Sequence, residues 1–198
     1  VHVSETMAEC LDQAEKAKEY PITIADTGDN AGGGAASDST FFIKEMMERG
    51  LENVAVAPLW DPVAVTICQD AGLNSRLKLR IGGKLGRASG SPVDVEATVV
   101  GLVDNVQGDM GGIKVEYGNC AAIKIHLAGK DSLLPEDGLD VVLTQHRMQG
   151  LTPNIFSDLG IDPLQKRILV VKSTQHFHAG FAPISKQVLY AGDVGLLP

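Results

Sequence analysis

The sequence predicts an α/β protein with a parallel or mixed sheet, flanking helices and an inserted antiparallel β-rich subdomain. Three patterns carry this prediction. Residues 22–71 alternate short apolar runs with helical stretches, which favours parallel strands joined by helices. Residues 75–139 switch to a period of two broken by glycine pairs, the mark of antiparallel strands with one exposed face. Apolar runs of strand length return at Val141 to Thr144 and Ile168 to Val171. The expected division is an α/β part over 1–74 and 140–198 and a β-rich subdomain over 75–139.

From the N-terminus, Ser4 is a good N-cap, and the stretch to Tyr20 has Met7, Leu11 and Ala14 at helical spacing. Glu5, Glu9, Glu15, Lys16 and Lys18 form its solvated face, and Pro21 stops it. A strand Ile22 to Ala25, a glycine-rich loop, a helix from about Asp38 to Arg49, a strand Val54 to Leu59 and a helix Pro62 to Ala71 follow. In the β-rich segment Leu77, Leu79 and Ile81 alternate with polar residues, as do Val93 to Val99 and Ile123 to Leu127. A short helix near Asn154 to Leu159 precedes the 168–171 strand, whose apolar character on both faces suits a central position. Val188 to Ala191 completes the series.

The 198 residues, 44% of them hydrophobic, suffice for one good core or two small ones. A net charge of -8 repels a phosphate backbone, and no basic cluster offsets it, so nucleic acid is not an expected partner. Cys10, Cys68 and Cys120 are odd in number and widely spaced, which suggests neither a disulfide framework nor a thiolate metal site. No apolar run approaches the ~18 residues of a membrane span, and the N-terminus lacks a signal-peptide pattern. The cytoplasm is the expected compartment. Val1 leads at once into a helical pattern, which fits an excised domain.

The most informative segment runs from Ala25 to Thr40 between a strand and a helix. Gly32, Gly33 and Gly34 allow close backbone approach and inward N–H groups, and a helix N-terminus follows. Alone, that would be an anion site. Asp26, Asp29 and Asp38 lie in the same loop, however, and carboxylates beside a phosphate repel it unless a cation intervenes. There is no Gly-Lys-Ser/Thr and no GxGxxG. The architectural reading makes Asp29-Asn30 a tight turn and Asp38 a helix cap. The functional reading notes that two acids follow a strand directly, where open α/β sheets place ligands.

Other strand ends carry polar groups too. Lys172 follows a buried strand and needs an acidic partner, for which Asp26 is the candidate. His176 and His178 would face one side if extended, yet two histidines do not make a zinc site. Arg147 is placed to clamp a substrate carboxylate or simply to sit at a turn. Asp61 followed by Pro62 reads as a helix cap. Lys84 after Gly82-Gly83 lies in a hairpin loop.

The order of these motifs resembles the C-terminal region of MlrC-like proteins, over nearly the whole chain. The matching features are Ala25-Asp26 through Asp29-Asn30, Gly32-Gly33-Gly34, Asp38-Ser39-Thr40, Asp61-Pro62, Gly82-Gly83-Lys84, Thr144 through Arg147 with Gln149, Gly160 through Pro163, and Lys172-Ser173 with His176-Phe177. The resemblance implies a two-part metallopeptidase-type hydrolase, associated with microcystin cleavage in the namesake. Its zinc is held mainly by His and acidic residues of an N-terminal domain, and none of those ligands can be carried onto this chain. Ala31 stands where Pro is usual and His178 where Arg is common.

Three functions follow as expectations. The first is a C-terminal domain that completes the cleft of a zinc hydrolase acting on a peptide or amide-like substrate, with the N-terminal domain of the same polypeptide as partner. In it Asp26, Asp29, Asn30, Lys172 and His176 are catalytic, while Gly32, Gly33, Gly34 and Arg147 bind substrate. The isolated chain would bind no metal and be inactive. The others are a metal-free anion-binding module and a structural or oligomerisation domain.

Overall fold

The computed structural model of the chain describes residues 5–127, 134 and 137–195. Ser4 and part of the segment 128–136 therefore lie outside the described residues. Eight strands among those described form one sheet in the order β3-β4-β5-β6-β2-β7-β1-β8. They are β1 (Ile22–Asp26), β2 (Val54–Trp60), β3 (Arg76–Ile81), β4 (Val93–Met110), β5 (Ile113–Ile125), β6 (Leu139–Thr144), β7 (Ile168–Val171) and β8 (Gln187–Ala191). β6, β2, β7, β1 and β8 run parallel, and β3, β4 and β5 add to the β6 side as antiparallel neighbours. The antiparallel strands thus extend the same sheet.

The helices α1 (Met7–Lys16), α2 (Phe41–Glu48) and α3 (Pro62–Ala71) cover one face, and the short α4 (Asn154–Ser157) and α5 (His178–Phe181) the other. Strand alternation divides the core accordingly. Ile22, Ile24, Val54, Val56, Ile168 and Val170 face α1 to α3, whereas Ala25, Ala55, Ala57, Leu169 and Val171 face Phe156, Phe177 and Phe181. Two covered faces explain why β7 is apolar throughout.

Two helix starts differ from the sequence reading. α1 begins at Met7, because Thr6 and Glu9 form a capping box in which the Glu9 N–H donates to Thr6 Oγ1 at 3.2 Å and the Thr6 N–H to Glu9 Oε2 at 2.9 Å. It stops at Lys16, and Pro21 disfavours helical geometry at Tyr20. α2 starts at Phe41, and Asp38 does not cap it. The Asp38 carboxylate is drawn away by the N–H groups of Lys84 and Leu85, at 2.8 and 3.1 Å, while its carbonyl accepts from Gly83 at 2.7 Å. Gly83 has φ 61°, and a Cβ there would come within 2.4 Å of Ser91 backbone, so only glycine allows this loop to fold against α2.

α3 follows its sequence signature. Asp61 Oδ1 accepts from the Ala64 N–H at 3.1 Å, and Pro62 occupies the first turn. The other Asp61 oxygen accepts from Gly82 N–H at 3.0 Å, and Lys84 Nζ lies 2.6 Å from the same oxygen. Asp61 therefore ties α3 to the β3–β4 loop. Asp61→Ala is expected to lower stability by about 2 kcal/mol, because it removes a cap and leaves a buried N–H unpaired. Urea denaturation checks this, and a loss below about 0.5 kcal/mol would remove Asp61 from the account.

Candidate active site

The carboxyl ends of β1, β2, β6 and β7 lie at one end of the parallel array, so the segments that follow them converge. A Lys placed directly after β7 has no water to solvate it. Lys172 is 1% exposed and meets three acceptors, Asp26 Oδ2 at 2.8 Å, Asp29 Oδ2 at 2.9 Å and Ser39 Oγ at 2.8 Å. An ammonium has three hydrogens, so this set saturates it. Asp29 is held further by the N–H groups of Ser37, at 2.8 Å to Oδ1, and Ser39, at 2.7 Å to Oδ2. Ser37 takes a positive φ of 62°, which lets the loop fold back on this carboxylate.

The electrostatics of this cluster are unequal. Burial pushes the Asp26 carboxyl up; Lys172 opposes the rise and Asp29 adds to it. Burial also works against the Lys172 ammonium, but the two carboxylates outweigh it and hold its pKa above the ordinary lysine value. Asp26 Oδ1 is buried with no hydrogen-bond partner among the described residues, which makes Asp26 the less well compensated acid.

The segments that carry this cluster also line a cavity of about 270 Å³, through Asn30, Gly32, Gly33, Gln149, Thr174, Gln175 and His176. None of the lining side chains carries a fixed charge. The Asn30 amide donates to Thr174 Oγ1 at 2.8 Å, which bridges the glycine loop to the segment after β7. Gln149, at the end of the segment after β6, contacts both sides: its Nε2 lies 3.2 Å from His176 Nδ1, and its Oε1 accepts from Ser173 Oγ at 3.1 Å. Two larger concavities lie elsewhere. One is a surface trough over the exposed Arg80–Asp94 pair, and the other adjoins the buried Lys124–Asp140–Lys166 group near the start of β6. Neither touches the strand-end residues.

The structure joins Asp26 and Asp29 to Lys172, and it places Asn30 and His176, from the same two segments, on the cavity wall. Gly32 and Gly33 line the wall as well. Their amides point into the loop, since Gly32 donates to Asn30 Oδ1 at 2.9 Å, Gly33 to Asn30 O at 3.0 Å and Gly34 to Ala31 O at 3.1 Å. The loop therefore offers a ligand Cα surface, with its N–H donors spent. Arg147 lies off the wall and donates to Ala35 O at 3.2 Å. His178 opens α5 instead of extending beside His176, so the two rings do not face one side. Gln149, Ser39 and Thr174 had no assigned role in the sequence reading. The buried-lysine argument that pointed to Asp26 gives no sign of a serine as third acceptor.

A zinc ion does not fit these residues. Among the described residues no three of His, Cys, Asp and Glu gather as a metal site, and the acids nearest His176 are already engaged by Lys172 and backbone N–H groups. No described helix is long and apolar enough to cross a membrane.

Comparison with known proteins shows the family to which the chain is similar. Residues 24–197 match the family profile described as the MlrC C-terminus. The chain is 34% identical over 183 residues to microcystinase C of Sphingomonas sp., covering 92% of this chain and 34% of that protein. It superposes on the crystal structure of a candidate metallopeptidase from Mesorhizobium sp. BNC1 with a TM-score of 0.81 and 21% identity, covering 98% of this chain and 37% of the other. The chain thus spans about a third of the length of both relatives.

Proposed function

The chain belongs to the MlrC family, matching its C-terminal domain, and on that premise we propose that it completes the substrate cleft of a zinc-dependent peptide or amide hydrolase. The observation that carries this reading is the uncharged, hydrogen-bonding cavity lined by Asn30, Gln149, Thr174 and His176, which belong to the same strand-end segments as the Lys172 cluster. A peptide segment is neutral and needs both donors and acceptors, which Asn30, Gln149, Thr174 and His176 supply. Spent glycine amides and the missing fixed charge on the wall weigh against a metal-free anion module.

In this reading Asn30 and His176 touch the substrate, and the His176 ring supplies a donor to the oxygen that gains charge during hydrolysis. Gly32 and Gly33 let the substrate lie close to the loop. Asp26, Asp29 and Lys172 are positioning residues, because Lys172 has no hydrogen left for a substrate and the acids hold the loop that carries Asn30. Arg147 steadies the far side of that loop. A metal held by ligands of the N-terminal domain of the same polypeptide, in the cytoplasm, would supply an activated water.

The purified 198-residue chain is expected to retain no stoichiometric transition metal after dialysis and to leave peptide substrates intact, whereas the whole polypeptide retains metal and cleaves. Elemental analysis beside a hydrolysis assay is the check. One equivalent of zinc per isolated chain, lost on His176→Gln, would overturn the division of labour.

A further inference from the structure

Gln149 is 4% exposed and stands between a fully buried serine and a ring that faces the cavity. The peptide group that joins it to Gly150 is fixed at both ends, by Tyr117 Oη donating to the Gln149 carbonyl at 2.9 Å and by the Gly150 N–H donating to Lys172 O at 2.9 Å. Its side-chain amide lies flat on Gly32. A Cβ at position 32 would meet Nε2 at 2.8 Å, Cδ at 3.0 Å and Oε1 at 3.1 Å. Gly32 has no positive φ, so the close fit there is with the Gln149 amide and not a demand of the backbone.

The direction of the amide follows from Ser173. Its hydroxyl hydrogen is buried, and Gln149 Oε1 is the acceptor it has among the described residues. Turning the amide over would strand that hydrogen away from water. With Oε1 committed to Ser173, Gln149 Nε2 presents its hydrogen to His176 Nδ1, which must accept. The ring proton then resides on Nε2, the nitrogen left for the cavity.

We infer that Gln149 is a positioning residue that holds His176 as the Nε2–H tautomer, so that this ring offers the cleft a hydrogen-bond donor and not a base. The inference rests on the proposed function only in supposing that His176 meets substrate. Ser173 sets the amide, the amide sets the tautomer, and Gly32 leaves room for the amide to do so.

The test is long-range ¹H–¹⁵N correlation spectroscopy of the histidine-labelled 198-residue chain at about pH 8, where ordinary imidazoles are neutral, with His176 assigned by its loss in His176→Gln. Wild type is expected at the Nε2–H limit. Gln149→Glu, whose carboxylate only accepts, moves the proton to Nδ1; Gln149→Leu lets the ring average its tautomers as free imidazole does. Wild type with its proton on Nδ1, or one pattern shared by all three proteins, overturns the inference, and the wild-type spectrum decides even if a variant fails to fold. In the whole polypeptide Gln149→Glu is expected to lower kcat by about tenfold or more with KM little changed. The predicted spectra together with unaltered turnover would sustain the tautomer assignment and overturn the role given to His176.

Discussion

Replacing Lys172 by Met is expected to lower stability by about 3–5 kcal/mol at neutral pH, the usual consequence of removing one partner from a buried ion cluster. Met fills a similar volume, so the loss comes from charge. Asp26 and Asp29 would keep two buried carboxylates with only backbone and serine donors for company. The cost should shrink at about pH 4.5, where Asp26, whose carboxyl burial already pushes up, takes up a proton more readily.

Asp26 has a folded pKa above its ordinary 3.8, so its contribution is full below that value and lost as pH rises through the folded pKa. Lys172 lies above 10.5, so its contribution persists through neutral pH and is lost only in the alkaline range. Urea unfolding of wild type and Lys172→Met at both pH values checks the prediction. A loss under about 1 kcal/mol, or an equal loss at both, would mean the cluster is solvated in a way this geometry excludes. Adding Asp26→Asn should recover part of the loss.

Asp29→Asn is expected to reduce turnover of the whole polypeptide by about 10²-fold, because it loosens the loop that presents Asn30 and small displacements of positioned groups have effects of that size. The change is isosteric yet not silent in stability. Asp29 accepts from Ser37 N–H, Ser39 N–H and Lys172, and an amide must turn its NH₂ toward one of these donors. A loss of about 2–3 kcal/mol follows from the charged hydrogen bonds given up. A simple turn residue would lose at most about 1 kcal/mol, since Asn serves turns nearly as well as Asp. Turnover must be compared well below the melting range of the variant. Turnover equal to wild type in a destabilised but folded variant would assign the loop to architecture.

Local rules read some elements closely and others poorly. α3 agrees with its sequence reading at both ends, because Asp61-Pro62 and Gly72 act through neighbours in the chain. β7 was legible from composition, since both its faces are covered. The start of α2 was not legible: Asp38 is a good cap, but its carboxylate is claimed by Lys84 and Leu85, 46 and 47 positions away. The length of β4 was hidden too, because register shifts between Val99 and Val106 break its alternation. In the site, the partnership of Lys172 with Asp26 was legible because a buried ammonium demands an acid. The use of the glycine amides was not, because Asn30 turns those of Gly32 and Gly33 inward through its side chain and its carbonyl, and Ala31 O takes that of Gly34. In sequence Gln149 is one motif residue after a strand with no chemistry of its own; its importance depends on contacts with residues 32, 173 and 176 that only folding brings together.

Whether the strand-end cavity serves catalysis is decided by comparing His176 with His178. Both are exposed, and they sit two residues apart, but only His176 lines the cavity. The measurement is peptide hydrolysis by the whole polypeptide carrying His176→Gln or His178→Gln, each beside thermal denaturation. His176→Gln is expected to lower turnover by about 10²-fold with the melting temperature unchanged, in line with the loss of one donor to developing charge, and His178→Gln to stay within about twofold of wild type. Equal turnover in the two variants, or a loss confined to His178→Gln, would contradict the account.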